Sequence, residues 1–400
     1  MAADEVLIVG AGPVGLLNAL GLAQSGIRVT LIEREPYIVD SPRAVVYHWS
    51  VLEGIERLGL LEEAMTIGFT KQDYCYLVFR TGERICWSLE PLRAITPFPF
   101  NLHLGQNKLA EIALRRLQSM PDFSVHWSTQ FLDLAQDRDG VTVTATSPQG
   151  KREFRVGWVI GADGAGSAVR KAVELGFEGM TWPQRFVATN IHYDFERDGY
   201  ARATLMIDPK YGAIIAKIDT GGLWRCTYCE DAALPEQAVL ERMPAYFNAV
   251  LSRPQEYELK MYSPYRMHQR AAERFRAGRV LLAGDAAHAT NPTGGLGLTS
   301  GLFDTFVLYE ALAAVIQGAI GDAVLDRYSE ERRRIFLEYA SPRASENKRL
   351  IYHSHDPVRL EEDLRTLRRL ETDRDFLMQT VTFTKQLETR SLLGAGTAAA

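Results

Sequence analysis

The sequence predicts an α/β protein (α+β in the strict sense), in which a nucleotide-binding domain is interrupted by a domain built on an antiparallel sheet. The chain begins with a strand, a glycine-rich turn, a helix and a second strand, over residues 4–33. Short strands separated by turn residues follow between Arg185 and Cys229. A short apolar strand and a long apolar helix return after Arg279, and the rest of the chain is charged and helical.

The first turn carries the pattern G-x-G-x-x-G, at Gly10, Gly12 and Gly15. In this context Gly10 makes the tight turn, Gly12 lets a pyrophosphate approach the backbone, and Gly15 lets helix and strand pack closely. The start of the helix offers free N–H groups to phosphates. The second strand ends at Glu33, where a carboxylate can hold a ribose hydroxyl. We therefore predict a Rossmann-like unit that binds a dinucleotide; a turn without a ligand is the alternative.

The composition limits the class of protein. The chain has 400 residues, 46% hydrophobic and 24% charged, as in a soluble protein with a large core. A net charge of −5 gives no sign of a nucleic-acid surface. No apolar run approaches the roughly 20 residues that cross a bilayer, and the N-terminus enters the first strand at once. We expect a cytoplasmic monomer or homodimer without nucleic-acid or membrane partners.

The four cysteines, Cys75, Cys86, Cys226 and Cys229, are not expected to form a disulfide framework. Cys226 and Cys229 spell C-x-x-C, but they lie in a predicted strand, where residues three apart point to opposite faces. No second C-x-x-C or nearby histidine completes a metal site. The strand is therefore favoured over a redox or zinc role, and no metal is expected.

Further elements divide the chain. A helical stretch is predicted at Ser50–Met65, a hairpin at Tyr74–Ser88 and an amphipathic helix at Lys108–Ser119. The predicted nucleotide-binding domain is discontinuous and consists of residues 1–70, 100–180 and 272–345. The predicted antiparallel-sheet domain consists of residues 71–99 and 181–271, and a helical C-terminal segment covers residues 346–400.

Two further loops place an aspartate just past the end of a strand. Asp163 and Gly164 follow the strand that ends at Ile160, and Asp285 follows the strand that ends at Ala283. An aspartate at this edge can hydrogen-bond the hydroxyls of a ribose or ribityl chain. A helix N-cap is an equally good interpretation of either one alone. Three such loops in one chain are hard to explain by capping.

A glycine-rich segment, Ala289–Thr299, precedes the apolar helix Phe303–Val315. Glycine-rich backbone at the start of a helix offers N–H groups and a positive dipole end to an anion. For a flavin the target would be the N1/O2 edge, which becomes negative on reduction. A glycine-rich hinge is the alternative.

These loops together resemble the pattern of single-component FAD-dependent aromatic hydroxylases, typified by the para-hydroxybenzoate hydroxylase group, over about residues 4–345. The resemblance implies FAD, NADH or NADPH as a transient reductant, O2, and a substrate domain on an antiparallel sheet. It implies hydroxylation of a small phenol or hydroxypyridine through a flavin C4a-hydroperoxide. Three segments further resemble the para-nitrophenol 4-monooxygenase and 6-hydroxy-3-succinoylpyridine 3-monooxygenase groups, which replace a substituent para to a hydroxyl: Arg185–Asn190, Tyr265–Arg270 and Ala289–Leu298.

The resemblance also assigns roles to residues. The expected residues at the adenosine and pyrophosphate end of the cofactor are Gly10, Gly12, Pro13, Val14 and Gly15 in the first turn, Glu33 and Arg34 at the adenosine end, and Arg43 near the pyrophosphate. Gln106 is expected near the ribityl or phosphate region, Asp163 and Gly164 at FAD, and Asp285 at the ribityl chain. The residues expected at flavin N1/O2 are Gly295, Gly297, Leu298 and Thr299. Pro292 would line the substrate pocket. Without the family, Arg43 would be a surface charge and Gln106 a solvated amide.

The substrate hydroxyl needs a polar partner, and the candidates are His48, Tyr193, Tyr211 and Tyr228. His48 could act as a base near neutral pH. Each of the four has a purely structural alternative. A flavin-dependent halogenase is excluded by the absence of W-x-W-x-I-P. A flavin reductase or dehydrogenase without oxygenation and a non-catalytic FAD-binding sensor stay open.

Overall fold

The computed structural model describes residues 5–40 and 44–394. Strands dominate its first two thirds, and helices dominate the rest. The strands are β1 (Glu5–Val9), β2 (Arg28–Ile32), β3 (Val46–Tyr47), β4 (Phe69–Lys71), β5 (Asp73–Val78), β6 (Arg84–Ser88), β7 (Asn101–His103), β8 (Phe123–His126), β9 (Gln130–Asp137), β10 (Gly140–Ser147), β11 (Gly150–Val156), β12 (Trp158–Gly161), β13 (Phe177–His192), β14 (Ala203–Ile207), β15 (Ala213–Lys217), β16 (Leu223–Asp231), β17 (Glu258–Ala272), β18 (Arg276–Ala277), β19 (Val280–Leu282) and β20 (His288–Ala289).

The helices connect and cover these strands. They are α1 (Pro13–Gln24), α2 (Trp49–Arg57), α3 (Leu61–Ile67), α4 (Gln106–Gln118), α5 (Ala168–Ala172), α6 (Val239–Val250), α7 (Leu296–Ile316), α8 (Ala323–Ile335), α9 (Ser341–Tyr352), α10 (Pro357–Thr372) and α11 (Arg374–Val381). A π-helical turn, Phe336–Ala340, joins α8 to α9.

The nucleotide-binding domain is built on a six-stranded sheet with the order β18-β19-β12-β1-β2-β8. All neighbours are parallel except β18 and β19. Strand β1 is apolar almost throughout and buried from Val6 to Val9, as expected for a central parallel strand that is covered on both faces. The carboxyl ends of β1, β12 and β19 therefore lie together at one edge.

The second large sheet has eight strands in the order β20-β17-β13-β16-β15-β14-β5-β6. It is antiparallel except where β14 pairs with β5. Strand β20 follows directly after the aspartate loop at Asp285, so the loop is joined to the sheet through β17. Strand β17 was not predicted, because its charged residues and Pro264 hide the alternation that burial produces.

The two sides of this sheet differ in what covers them. Helix α6 packs on one side, where Val187, Ile191, Trp224 and other alternate residues meet Phe247. We call this the helix side. The opposite side, here the cleft side, meets the end of α9. The small sheet β3-β7-β4 of the nucleotide-binding domain reaches the end of β15, where the His103 Nδ1–H donates to the carbonyl oxygen of Lys217 over 3.0 Å.

Several predicted boundaries fall inside continuous elements. Strand β13 passes through the predicted boundary at residues 180 and 181, and α9 passes through the one at residues 345 and 346. The predicted helix Ser50–Met65 is two helices, α2 and α3, separated at Gly59, whose φ of +73° ends α2. Helix α7 begins earlier than predicted, at Leu296.

Helix α7 corrects the prediction that no apolar segment reaches membrane-spanning length. It has 21 residues and is long and apolar enough by those criteria alone. Within its most apolar stretch, 78% is buried in this fold, where it packs on α1, α2 and α8. Its apolar composition is that of a helix surrounded by protein.

The cysteines also bring a correction. Cys75 and Cys86 lie directly opposite each other on β5 and β6 and form a disulfide, which was not predicted. Cys226 and Cys229 are both free on β16 and lie on opposite sides of the sheet, as the strand interpretation requires. Burial raises the pKa of the Cys226 thiol to about 12.

Candidate active site

The turn between β1 and α1 is shaped by its glycines. Gly10 has a φ of +110°, and a Cβ atom there would lie 2.4 Å from the carbonyl oxygen of Ala162. A Cβ atom on Gly15 would lie 2.0 Å from the carbonyl oxygen of Gly10. At Gly12, by contrast, no described atom lies within 4 Å of the Cβ position. The turn is therefore packed against the protein at two glycines and open to a ligand at the third.

Helix α1 starts in this turn, with Pro13 as its first residue, and no described side chain caps it. Proline lacks an N–H group, so the N–H groups of Val14 and Gly15 are the ones that face outward. The Glu33 carboxylate at the end of β2 accepts the N–H of Ala11 over 2.7 Å. An uncapped helix start beside a carboxylate suits a diphosphate joined to a ribose.

Three other predicted residues of the adenosine and ribityl region have different surroundings. Arg34 is exposed, and its Nε lies 3.3 Å from a carboxylate oxygen of Glu35. Gln106 is the first residue of α4, whose start also has no side-chain cap among the described residues. Arg43 lies outside the described residues.

Asp163 and Asp285 follow β12 and β19, which are adjacent parallel strands, so both lie at the edge where β1 ends. The Asp163 carboxylate accepts the Ser167 hydroxyl over 2.5 Å and the backbone N–H groups of Ala168 and Val169 over 2.7 and 3.1 Å. It thereby anchors the start of α5, as the capping alternative foresaw. Asp285 is exposed in a single 3-10 turn.

A fully buried ionic group supports the Asp285 loop from below. The His288 Nε2–H donates to one Asp304 carboxylate oxygen over 2.7 Å, and the Arg332 Nε–H donates to the other over 2.8 Å. The Gly284 N–H also donates to Asp304, over 2.9 Å. Sequence reasoning gave no role to Asp304 or Arg332. The available signal was an aspartate within the apolar helix α7.

The glycine-rich loop connects β20 to α7. The Gln269 side chain on β17 fixes its first part, since its Nε2–H donates to Thr290 Oγ1 over 2.8 Å and its Oε1 accepts the Asn291 Nδ2–H over 3.0 Å. Gly294 and Gly295 have φ values of +94° and +70°. No described side chain caps α7, which follows directly. Pro292 lies in the loop, and the first turn of α7 contains the remaining predicted residues: Gly297, Leu298 and Thr299.

His48 is brought to this loop. Its Nε2–H donates to the carbonyl oxygen of Gly294 over 2.8 Å, which leaves Nδ1 as a proton acceptor. Burial lowers the pKa of His48, so the imidazole is neutral at pH 7. His103 lies nearby, with its Nε2 buried and without a partner among the described residues. Burial lowers the pKa of His103 to about 4.

The three candidate tyrosines are not brought to this loop. Tyr228 stacks on the Tyr246 ring of α6, with ring centres 4.0 Å apart, and Tyr211 lies 6.3 Å from the same ring. Tyr193 is in the same cluster and donates its hydroxyl proton to the Asp198 carboxylate. All three therefore pack on the helix side, because they share the side-chain alternation of residues that α6 covers. Their contact with a substrate stays a prediction, and this placement argues against it.

Comparison with known proteins identifies the family of this chain. Residues 3–340 match the family model described as FAD binding domain. The chain belongs to this FAD-binding family. It is 42% identical to 6-hydroxy-3-succinoylpyridine 3-monooxygenase HspB of Pseudomonas putida (strain DSM 28022 / S16), over 96% of this chain and 98% of that protein. It is 40% identical to para-nitrophenol 4-monooxygenase of Pseudomonas sp. (strain WBC-3), over 98% and 97%.

Solved structures support the same family assignment. The crystal structure of p-nitrophenol 4-monooxygenase PnpA from Pseudomonas putida DLL-E4 matches with a TM-score of 0.93 and 39% identity, over 96% of this chain and 98% of that one. Aklavinone-11 hydroxylase, in a ternary complex with FAD and aklavinone, matches with a TM-score of 0.78 and 27% identity, over 90% and 71%. The predicted family, fold class and FAD cofactor are confirmed. The protein is a flavin-dependent monooxygenase, and the reductase and sensor alternatives are not favoured.

Proposed function

We propose that the protein inserts one oxygen atom of O2 into a phenol or hydroxypyridine, with NADH or NADPH as the reductant. The observation that carries this proposal is the match, over nearly the whole chain, to HspB and para-nitrophenol 4-monooxygenase. Both names specify a ring carbon that bears a substituent and lies para to a hydroxyl. The shared position on two different rings supports oxygenation at such a carbon, with loss of the substituent.

FAD, when bound, takes up the reducing equivalents and passes an oxygen atom to the ring. The chain's own residues bind and orient the reactants. Glu33 and the start of α1 would hold the adenosine diphosphate part, with Asp285 at the ribityl chain. The uncapped start of α7 would stabilise negative charge at the flavin. The cleft side of the sheet and Pro292 would enclose the ring and exclude water.

His48 is the proposed proton acceptor for the ring hydroxyl. The hydrogen bond to Gly294 orients the imidazole and fixes its tautomer, with Nδ1 unprotonated. Since burial lowers the pKa of His48, the group is in its accepting form at neutral pH. Removal of the hydroxyl proton makes the ring more nucleophilic and so speeds its attack on an electrophilic oxygen.

The function is tested with purified holoenzyme, NADH or NADPH, and a panel of para-substituted phenols and hydroxypyridines. We expect at least one ring for which nicotinamide oxidation is matched by oxygenated product, with little peroxide released. Assays without a ring provide the baseline. Release of all the oxygen as peroxide with every ring would contradict the proposal.

His48→Ala is expected to lower kcat by about 100-fold at neutral pH, the usual size of a lost general base. The deficit should shrink as the pH passes the pKa of the ring hydroxyl, because the substrate then ionises without help. His126→Ala, at the edge of the six-stranded sheet, is the control and should leave kcat unchanged. A deficit that is the same at every pH would show that His48 only supports the loop.

A further inference from the structure

The cleft side of the eight-stranded sheet contains one arginine whose place in the fold was not predicted. On β16, Trp224, Cys226 and Tyr228 face α6, so the residues between them face the cleft. Arg225 is one of these, and it is only 7% exposed. The nearest residues of β16 on the same side, Leu223, Thr227 and Cys229, carry no charge, so the buried charge of Arg225 requires a specific partner.

Arg225 is connected to the candidate active site through β15 and the small sheet. Arg225 lies opposite Ala216 on β15, and the next residue there, Lys217, is the one whose carbonyl oxygen accepts the His103 N–H. His103 pairs in turn with Val46 on β3. Two residues after Val46 is His48, which is bonded to the glycine-rich loop. Arg225 is thus on the part of the sheet that the small sheet β3-β7-β4 approaches.

The guanidinium group of Arg225 is incompletely paired. Its Nε–H donates to the side-chain oxygen of Asn190 over 3.0 Å. Its Nη1 is buried and has no hydrogen-bond partner among the described residues. No described carboxylate lies within ion-pair distance, and burial lowers the pKa of Arg225 to about 10. A buried guanidinium that lacks an acceptor is costly, so its retention points to an acceptor supplied by a ligand.

Another buried arginine on the same sheet shows the usual arrangement. Arg185 is 2% exposed, and its Nε–H donates to the Glu230 carboxylate over 2.7 Å. Its Nη2 donates to the carbonyl oxygen of Leu234, and Glu236 lies 3.4 Å from Nη1. Every nitrogen of Arg185 thus has a protein partner. The sheet can satisfy a buried arginine when the role is structural, and it does not do so at Arg225.

Small side chains surround Arg225 on the cleft side. Ala188 and Thr227 face each other across β13 and β16, and Ala216 lies beside Arg225 on β15. Their side chains add little volume above the sheet, and the cleft-side rings Phe186, Tyr265 and Tyr352 cluster at the end of α9. An aromatic ring can therefore lie against this part of the sheet with its edge toward the guanidinium.

We propose that Arg225 binds a planar, two-oxygen substituent of the aromatic substrate, a carboxylate or a nitro group, and so selects rings that bear one. The guanidinium fork matches two coplanar oxygens, which a lysine ammonium cannot do. The proposal rests on the proposed function, since it assigns the substrate class of the same site. It makes Arg225 a substrate-binding residue that acts before any oxygen is transferred.

The test measures ligand binding to oxidised holoenzyme from the perturbation of the flavin absorbance. The probes are para-nitrophenol, 4-hydroxybenzoate and 4-methylphenol, which share the ring and hydroxyl and differ in the para substituent. The wild type should bind at least one of the first two about tenfold or more tightly than 4-methylphenol. Arg225→Met should reduce this ratio to near one while changing the 4-methylphenol affinity less than about threefold.

Two further variants separate the effect of the Arg225 charge from that of its guanidinium geometry, and both from a general loss of structure. Arg225→Lys keeps the charge and should retain part of the preference for 4-hydroxybenzoate but lose that for para-nitrophenol. Arg242→Met, which removes an arginine on α6 that is paired with Glu230, should keep the wild-type ratio. Equal binding of all three probes by the wild type, or an unchanged ratio in Arg225→Met, would overturn the proposal.

Thermal unfolding without an aromatic ligand gives an independent readout. Replacing an underpaired buried charge with an apolar side chain of similar length should leave the Tm unchanged or raise it. Asn190 is only half-buried, so water can replace the lost donor. A Tm several degrees below the wild type would mean that Arg225 is structural and would overturn the proposal. Binding selectivity that depends on Arg225, without any oxygenated ring, would instead count against the proposed function alone.

Discussion

The two sides of the eight-stranded sheet solve different physical problems. On the helix side, rings pack against rings, and the Tyr246 hydroxyl donates to the Tyr211 carbonyl oxygen over 3.1 Å. On the cleft side, Arg225 Nη1 and His103 Nε2 are buried without a described partner. The aromatic residues around α6 therefore form the scaffold on the helix side. The two incompletely paired groups on the cleft side are ones that a bound ligand could complete.

The largest expected effect is on the helix side. Phe247→Ala removes a fully buried ring at the centre of the α6 contact and should cost about 3–5 kcal/mol of stability. The ratio of probe affinities should not change, because the proposed substrate site is on the opposite side of the sheet. Denaturant unfolding and the probe-binding assay measure the two quantities. A changed ratio in a variant that is still folded would break the comparison.

Acid should lower the free energy of unfolding through His103, on the cleft side. The pKa of His103 is lowered by burial to about 4, so between about pH 6.5 and 4 the unfolded chain binds a proton that the folded protein does not. The free energy of unfolding should therefore fall as the pH falls, by about 1.4 kcal/mol per pH unit from this group. His103→Gln keeps a donor for Lys217 and should lack that part of the slope. Identical slopes in the two proteins would refute this assignment.

The smallest effect is expected at Tyr193. Tyr193→Phe removes a hydroxyl that donates to Asp198 and accepts the Arg253 N–H over 3.2 Å, while Arg253 still pairs with Asp198 over 2.6 Å. A loss of about 1–2 kcal/mol of stability should result, with kcat and KM unchanged. Thermal unfolding and steady-state kinetics provide the check. A lower kcat at normal stability would restore Tyr193 as a candidate for substrate contact.

The nucleotide-binding half could be predicted because its signals are local. The turn at Gly10, Gly12 and Gly15 and the carboxylate at Glu33 are constrained by backbone geometry within one βαβ unit. The aspartate loops at Asp163 and Asp285 could be placed because each follows an apolar strand. What Asp163 does there could not be predicted, since capping and ligand binding use the same carboxylate.

The substrate half depends on long-range information. Alternation places Tyr228 and Arg225 on opposite sides of β16, but nothing in the sequence states which side α6 covers. The sequence therefore did not show that the candidate tyrosines lie on the side that α6 covers, and it gave no role to Arg225. The Cys75–Cys86 pair was missed for a different reason: the hairpin was predicted, but the register that places the two cysteines opposite each other was not.

The central claim is that the substrate lies on the cleft side of the sheet and is held there by Arg225. A crystal structure of the holoenzyme with para-nitrophenol tests it most directly. We expect the ring between the glycine-rich loop and the sheet, with a nitro oxygen about 3 Å from Arg225 Nη1. A ring bound on the helix side, or bound in the cleft with Arg225 out of reach, would contradict it.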